Sequence, residues 1–191
     1  MTLRVKMDTA TQRTRDTWIA LRCQLGEPRG FEALVAEMER PLLYYAARLT
    51  RSDEVALDVL QEVWIQVFRI INRLREPAAL RTWLYRIVRG IALNHVRAET
   101  TRRHAEEAAA EEIDTTTAEP EFDTVDVAEL HDALDELDEK HRDVLVLHFL
   151  EELSIDEIAT VVGCPPGTVK SRIHYAKRAL ARRLEVKHDE S

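Results

Sequence analysis

The chain has 191 residues, of which 45% are hydrophobic, enough to bury a core in one domain or in two small ones. It contains only five glycines and six prolines, and its many Ala, Leu, Glu and Arg residues favour helices over sheets. No apolar run approaches membrane-spanning length, and the N-terminus lacks the apolar core of a secretory signal. We therefore expect an all-α cytoplasmic protein with no membrane partner.

The formal net charge of −8 belongs to one segment of the chain. Residues 104–139 contain 15 Asp or Glu and no Lys or Arg, which leaves 20 acids against 27 basic residues elsewhere. The core of this segment has no helical period, so we predict an acidic linker at 101–128 between two small helical domains. The rest of the chain is basic, and the low pI therefore does not exclude a nucleic-acid partner.

An N-terminal extension, 1–30, precedes the first domain, 31–100. In the extension, Trp18, Leu21 and Leu25 predict one or two amphipathic turns. The first helix of the domain is predicted from apolar residues at three-and-four spacing. These residues are Phe31, Leu34, Val35, Met38, Leu42, Tyr45, Ala46 and Leu49.

Ser52 is the predicted N-cap of a second helix with two different faces. The apolar face comprises Ala56, Val59, Leu60, Val63, Val67, Ile71 and Leu74, and the other stripe comprises Asp58, Gln61, Glu62 and Ile65. A third helix begins after Pro77, with Leu80, Trp83, Leu84, Ile87, Ile91 and Val96 predicted to be buried. Residues 69–103 carry nine arginines against two acids, which predicts a basic surface here.

The second domain, 129–187, reads as helix, tight turn, helix. Its leading helices are predicted to bury Leu130, Leu134, Leu137, Val144, Leu147 and Leu150. Ser154 and Glu157 form a capping box for a short helix that buries Ile155, Ile158, Ala159 and Val162. Gly163 ends that helix in the left-handed conformation, and we expect the next helix to begin near Gly167 or Thr168.

The last helix has a basic outer face. Its predicted inner residues are Val169, Ile173, Ala176, Leu180 and Leu184. The outer face holds Thr168, Ser171, Tyr175, Arg178 and Arg182, flanked by Lys170, Arg172, His174 and Lys177. Hydroxyls near a helix N-terminus suit base edges in a major groove, and cations along the helix suit phosphates. The pattern predicts a DNA-binding helix-turn-helix.

Two segments resemble a known family when taken together. "LDEKHRDVLVLHFLEELSIDEIATVVGCPPGTVKSRIHYAKRAL" resembles region 4 of extracytoplasmic-function (ECF) sigma factors of the sigma-70 family, and "DVLQEVWIQVFRIINRL…RTWLYRIVRGIALNHVR" resembles their region 2. The resemblance covers most of residues 31–186. It implies a sigma factor that binds bacterial core RNA polymerase, recognises the −35 promoter element with region 4, and recognises and melts the −10 element with region 2.

The resemblance also implies roles for individual residues and partners. Asp58, Gln61 and Glu62 match positions that dock on the clamp coiled coil of the largest polymerase subunit, and the polymerase flap is a further expected contact. The −10 set is Trp83, Tyr85, Arg86, Arg89 and Asn94. The −35 set is Thr168, Lys170, Ser171, Arg172, His174, Tyr175 and Arg178. Such proteins are commonly held inactive by an anti-sigma factor. Gly90 stands where the family commonly has Asn, and we expect a bend or a loop there because glycine weakens a helix.

Three other functions remain to be weighed. A helix-turn-helix regulator that never joins polymerase would have no use for the Asp58, Gln61 and Glu62 stripe. A protein-interaction adaptor would bind polymerase without promoter preference. An enzyme is disfavoured because no phosphate loop, HExxH or paired ExxH motif is present. The spacing of the two cysteines gives no zinc site. We therefore expect no metal, and the missing catalytic motifs lead us to expect no catalytic residue or cofactor.

Overall fold

A computed structural model of the chain describes residues 9–106, 133–134 and 136–189, and the elements in these ranges are all helical. The helices are α1 (Thr9–Gln24), α2 (Gly30–Thr50), α3 (Asp53–Ile70), α4 (Leu80–Glu106), α5 (Glu139–Leu145), α6 (Ile155–Val162) and α7 (Pro166–Asp189). Two 3₁₀ turns, Ile71–Arg73 and Pro77–Ala79, join α3 to α4, and a π-helical turn, Val146–Leu150, follows α5. The all-α prediction is confirmed. None of the described helices is long and apolar enough to cross a membrane.

The predicted apolar faces of α2 and α3 are confirmed. Leu34, Met38 and Leu42 of α2 are fully buried, as are Val59 and Val63 of α3. The side chain of Ser52 accepts a hydrogen bond from the Val55 N–H, so α3 begins where the sequence predicts. These two helices pack against each other and against α4.

The α1 helix turns a different face inward from the one predicted. Trp18 and Leu21 are exposed, and Leu25 just beyond the helix is 77% exposed, whereas Ile19 and Ala20 are buried. The prediction for Trp18, Leu21 and Leu25 as the buried side of an amphipathic turn is therefore wrong. Ala20 is small, which permits α1 to approach its neighbouring helices closely. The spacing of three larger apolar side chains does not by itself determine which side of the helix is buried.

Polar groups attach α1 to the rest of the protein. Arg81 donates from Nε to the carboxylate of Asp16 over 2.8 Å, and Asp16 is almost completely buried. Gln24 donates from Nε2 to the carbonyl oxygens of Ile71 and Leu74. Burial raises the pKa of Asp16 and the charge of Arg81 opposes that shift, so the pair offsets much of the cost of removing the carboxylate from water.

The helix-turn-helix is built as the sequence predicts. Ser154 and Glu157 form both hydrogen bonds of the capping box, and Gly163 ends α6 with φ of 71°. The following helix, α7, begins at Pro166, one residue before the predicted start. Proline fits the first position of a helix for two reasons. Its ring fixes a helical φ, and the N–H that it lacks would have no intrahelical hydrogen-bond partner at that position.

Leu150 differs from the prediction. It is 38% exposed, whereas Val144 and Leu147 are buried as expected. The five residues ending at Leu150 form a π-helical turn, which winds more slowly than an α-helix and rotates later side chains away from the predicted face. Leu130 and the side chain of Leu184 lie outside the described part of the chain.

A large apolar cluster contains residues from both halves of the sequence. It contains buried residues of α2, α3 and α4 together with Val144, Leu147, Ile158, Val162 and Ile173 from the second half. The α4 helix packs on α2 and α3 and also on α6. This explains why α4 buries Tyr85, Val88 and Ala92 in addition to Leu80 and Leu84, while the predicted Trp83, Ile87, Ile91 and Val96 are only half-buried.

The α4 helix continues through Gly90 as one helix from Leu80 to Glu106, so no loop interrupts it at this position. A Cβ built at Gly90 meets no atom within 4 Å, whereas one built at Gly30 would lie 2.8 Å from the backbone carbon of Arg22.

We expect the two alanine substitutions to have opposite effects on stability. Gly90→Ala should raise the free energy of unfolding by about 1 kcal/mol, since alanine is the better helix former and space is open. Gly30→Ala should lower it by about 1 to 3 kcal/mol through the clash with the α1 backbone. Urea unfolding followed by circular dichroism measures both, and a Gly90→Ala protein no more stable than the parent would contradict an uninterrupted helix with open space at Gly90.

Candidate nucleic-acid interface

The outer face of α7 carries the residues predicted to contact DNA. Lys170, Ser171, His174, Tyr175 and Arg178 are exposed. Thr168 and Arg172 are half-buried at the edges of this face. The opposite face is fixed in place by Val169, Ile173, Ala176 and Leu180, which are buried. A helix held by one apolar side and open on its cationic side has the form that a major groove accepts.

Local contacts set the position of the α7 N-terminus. The N–H of Gly163 and the N–H of Cys164 both donate to the carbonyl oxygen of Ala159, which closes α6 tightly. The N–H of Thr168 donates to the Pro165 carbonyl at 2.9 Å, and Ser171 Oγ donates to the Thr168 carbonyl at 3.0 Å. These bonds fix the backbone of Thr168 and the hydroxyl of Ser171 near the start of α7.

Lysine and aromatic side chains extend this face toward the π-helical turn. Lys177 Nζ lies 4.6 Å from the centre of the Phe149 ring, and both His174 and Tyr175 lie on the same outer side of α7. His174 and Tyr175 meet edge to face, with ring centres 5.5 Å apart. Phe149 is half exposed and was not predicted as part of a surface, since it lies in an apolar run that reads as core.

The α3 stripe is a second exposed surface. Asp58, Gln61 and Glu62 are all exposed, and Glu62 accepts a hydrogen bond from His95 Nε2 over 2.8 Å when that nitrogen carries the proton. Ile65, which the sequence places in the same stripe, is 47% exposed. Leu57 and Phe68 are exposed on the same side of α3 and were missed, because a leucine and a phenylalanine beside a buried face read as part of it.

The five α4 residues of the predicted −10 set are divided between two environments. Arg86 and Asn94 are exposed and Trp83 is half-buried. Tyr85, in contrast, is completely buried, and Arg89 is mostly buried. The structure therefore does not bring the set together on one open surface.

Two acids from the second half of the chain bury these α4 side chains. Asp143 of α5 accepts a hydrogen bond from Tyr45 on Oδ1 and one from Arg89 Nε on Oδ2, both over 2.6 Å. Tyr85 donates a hydrogen bond to Glu151. The rings of Tyr45 and Tyr85 meet edge to face, with centres 5.3 Å apart. We call these five residues the interface cluster.

Two members of the interface cluster, Tyr45 and Arg89, have shifted pKa values. Burial, followed by the neighbouring charge of Asp143, raises the pKa of Tyr45 well above its usual value, so its hydroxyl stays protonated and donates. Burial is the largest single influence on Arg89 and lowers its pKa. The charge and hydrogen bond of Asp143 outweigh it, so the pKa of Arg89 is raised and the guanidinium stays charged.

Family models and known proteins agree on the relationship of the chain. The model for Sigma-70 region 2 matches residues 34–102, and the model for Sigma-70, region 4 matches residues 128–180. The chain is 31% identical over 182 residues to the RNA polymerase sigma-H factor of Pseudomonas aeruginosa, covering 90% of this chain and 94% of that protein. The chain belongs to the sigma-70 family.

Two further similarities concern the ECF group and the fold. The ECF RNA polymerase sigma-E factor of Haemophilus influenzae is 29% identical over 181 residues, covering 89% of this chain and 95% of that protein, which supports the ECF group. The sigma factor RpoE of Bartonella quintana, solved in complex with the anti-sigma factor NepR, has the same fold, with a TM-score of 0.68 at 21% identity over 83% of this chain and 98% of that one.

Most of α2, all of α3 and most of α4 lie within the match to Sigma-70 region 2. Helices α5 and α6 and much of α7 lie within the match to region 4. The interface cluster therefore joins region 2 to region 4. Tyr45, Tyr85 and Arg89 come from region 2, while Asp143 and Glu151 come from region 4. Within the described ranges, no group of three or more His, Cys, Asp or Glu is placed to hold a metal ion.

The capping box should contribute measurably to the stability of the α6–α7 unit. Ser154→Ala removes the hydroxyl that accepts from the Glu157 N–H, so we expect the free energy of unfolding to fall by about 1 kcal/mol. Ser171→Ala is the matched control, because its exposed hydroxyl bonds only to its own helix and alanine is the better helix former there. Chemical denaturation compares them, and equal effects of the two substitutions would contradict the cap.

Proposed function

We propose that the two exposed surfaces divide the work of an ECF sigma factor. The α3 stripe docks on the clamp coiled coil of core RNA polymerase, and the outer face of α7 reads the −35 element. Residues 31–100 serve as the region 2 domain, 129–187 as the region 4 domain, and 101–128 as the acidic linker between them. The observation that carries the proposal is the α7 face, with its hydroxyl and cationic side chains exposed opposite a buried apolar side.

The composition of the α3 stripe supports a protein partner there. Asp58, Gln61 and Glu62 lie among Ile65 and Phe68, which is 69% exposed. A solvated helix face has no need of large apolar side chains, whereas a protein interface combines them with a polar rim. Acids on this surface would repel DNA, so nucleic acid is not its partner.

The α4 helix is proposed to contact the −10 element through Trp83, Tyr85, Arg86, Arg89 and Asn94. Arginines meet the phosphates of a single strand and aromatic rings stack on or enclose its bases. In the described conformation only Arg86 and Asn94 of this set are freely exposed. The remaining contacts require Tyr85 and Arg89 to be released from region 4.

In this proposal the protein acts by recruiting core RNA polymerase to promoters and not by catalysis. It works in the cytoplasm, where polymerase and promoter DNA are found. An anti-sigma factor is its proposed inhibitory partner, by analogy with the Bartonella quintana sigma factor that was solved with one. Its cationic and acidic surfaces are placed for binding, and no bound metal or cofactor is part of the proposal.

Run-off transcription from genomic DNA with sigma-free core polymerase tests the assignment. We expect discrete RNA 5′ ends that share upstream elements. Arg172→Ala should weaken promoter binding by about 1 to 3 kcal/mol at the −35 element without changing polymerase affinity. Asp58→Ala combined with Glu62→Ala should lower polymerase affinity roughly tenfold, since both charges would lie in the interface.

Matched control variants separate these effects from general loss of charge. Arg73→Ala removes an exposed arginine outside the α7 face, and Glu32→Ala with Glu39→Ala removes two exposed acids of α2. Both controls should transcribe as the parent does. Polymerase binding without discrete starts would replace the proposal with an adaptor, and specific DNA binding without polymerase binding would replace it with a helix-turn-helix regulator.

A further inference from the structure

The interface cluster crosses from region 4 to region 2 in every hydrogen bond described for it. Asp143 has a side chain only 2% exposed, and its two oxygens accept from Tyr45 and from Arg89. Glu151 is also buried and accepts from Tyr85. A buried carboxylate needs such partners, because the loss of water around it is costly unless charge and hydrogen bonds replace that water. The contact between the regions is thus specific and polar at its centre.

A second contact ties the regions together at the edge of the same interface. Arg13 of α1 donates to Glu157 of α6 over 3.3 Å. The α1 helix is itself attached to the region 2 side through the pair of Asp16 and Arg81. The N-terminal extension therefore reaches across both regions. The Arg13 pair is solvent-exposed and contributes little by itself, so the buried interface cluster dominates the hold between the regions.

The closed arrangement is incompatible with simultaneous recognition of both promoter elements. Elements named −35 and −10 are separated by about 25 base pairs, or about 85 Å of B-DNA. For comparison, helix α7 has 24 residues and spans only about 36 Å, which is less than half of the distance between the two promoter elements. Regions joined directly through the bond between Arg89 and Asp143 cannot reach that far apart, and Arg89 and Tyr85 stay buried while the bond persists.

We propose that Asp143 is an autoinhibitory latch, which closes region 4 over Tyr85 and Arg89 of region 2 and keeps the free protein in a form unable to engage a promoter. This inference rests on the proposed function for its view of Tyr85 and Arg89 as promoter contacts. The latch is reversible, because separation returns Asp143 and Arg89 to water, where each is well solvated. Polymerase and promoter DNA bind the open form and draw the equilibrium toward it.

Asp143→Asn tests the latch with almost no change of shape. The amide retains a partner for Tyr45 but removes the carboxylate that is bonded to Arg89 in the closed form only, which favours opening. Asp156→Asn is the matched control, since Asp156 is an exposed acid on α6 of the same region. Small-angle X-ray scattering of the free proteins should show a larger radius of gyration for Asp143→Asn than for the parent or for Asp156→Asn.

The functional effect is measured as the protein concentration that gives half-maximal run-off transcription. Asp143→Asn should lower this concentration roughly tenfold, the weight of one charged hydrogen bond, while Asp156→Asn leaves it unchanged. Tyr45→Phe, which removes one bond to Asp143 and leaves the ion pair, should lower it by a smaller factor. Circular dichroism measures the helix content of each variant. If Asp143→Asn loses helix, Tyr45→Phe becomes the deciding variant.

The outcomes separate the latch from the proposed function. An unchanged radius of gyration and an unchanged half-maximal concentration would overturn the latch while leaving the sigma activity of the parent intact. Expansion without any gain in transcription would overturn the inhibitory role. If the parent gives no transcripts at all, the proposed function fails, and expansion of Asp143→Asn in the scattering measurement still decides whether Asp143 holds the regions together.

Discussion

The carboxylate of Asp143 is removed from water, and within the described part of the chain both of its hydrogen bonds cross the boundary between region 4 and region 2. This single constraint orders much of the molecule. A buried charge with its partners absent would cost several kcal/mol, so Tyr45 and Arg89 must be present whenever Asp143 is covered. The position of α5 against α2 and its bond to Arg89 of α4 fit that requirement, and buried apolar residues of both halves surround the interface cluster.

Charged residues are also unevenly distributed over the molecule as a whole. The acids that make the chain acidic are concentrated at 104–139, whereas the outer face of α7 and the exposed side of α4 carry cations. Net charge therefore says little about the partner, because fields at a surface depend on the residues within about a Debye length of it. The acid stripe on α3 and the cationic face on α7 can serve different partners on one small protein.

Local features of the fold were predictable from the sequence because they depend on neighbouring residues. The apolar faces of α2 and α3, the caps at Ser52 and Ser154, and the left-handed Gly163 all follow rules that act within a few positions. The exposed positions of Asp58, Gln61 and Glu62 follow in the same way, since they lie opposite a well-defined apolar face.

The remaining features depend on contacts distant in sequence. Tyr85 and Arg89 look like one polar face of an arginine-rich helix, and nothing nearby indicates that region 4 covers them. The face that α1 turns inward depends on Arg81, more than sixty positions away, through its bond to Asp16. One signal was available: Asp143, Leu147 and Glu151 recur at four-residue spacing, which places two acids in line with a core leucine. Acids on a buried stripe indicate partners elsewhere in the fold.

A polar centre suits a contact that has to open. An interface made only of apolar groups would expose all of its area to water on opening, with no compensation. Ions and hydroxyls instead regain hydration when they separate. The difference in free energy between the closed and open forms is therefore smaller than it would be for an entirely apolar interface of the same area. A partner with modest preference for the open form then suffices to shift the population, because the shift is limited by its differential affinity for the two forms. Placing charge at the centre of the contact between the regions therefore keeps the protein folded as one body and still able to separate.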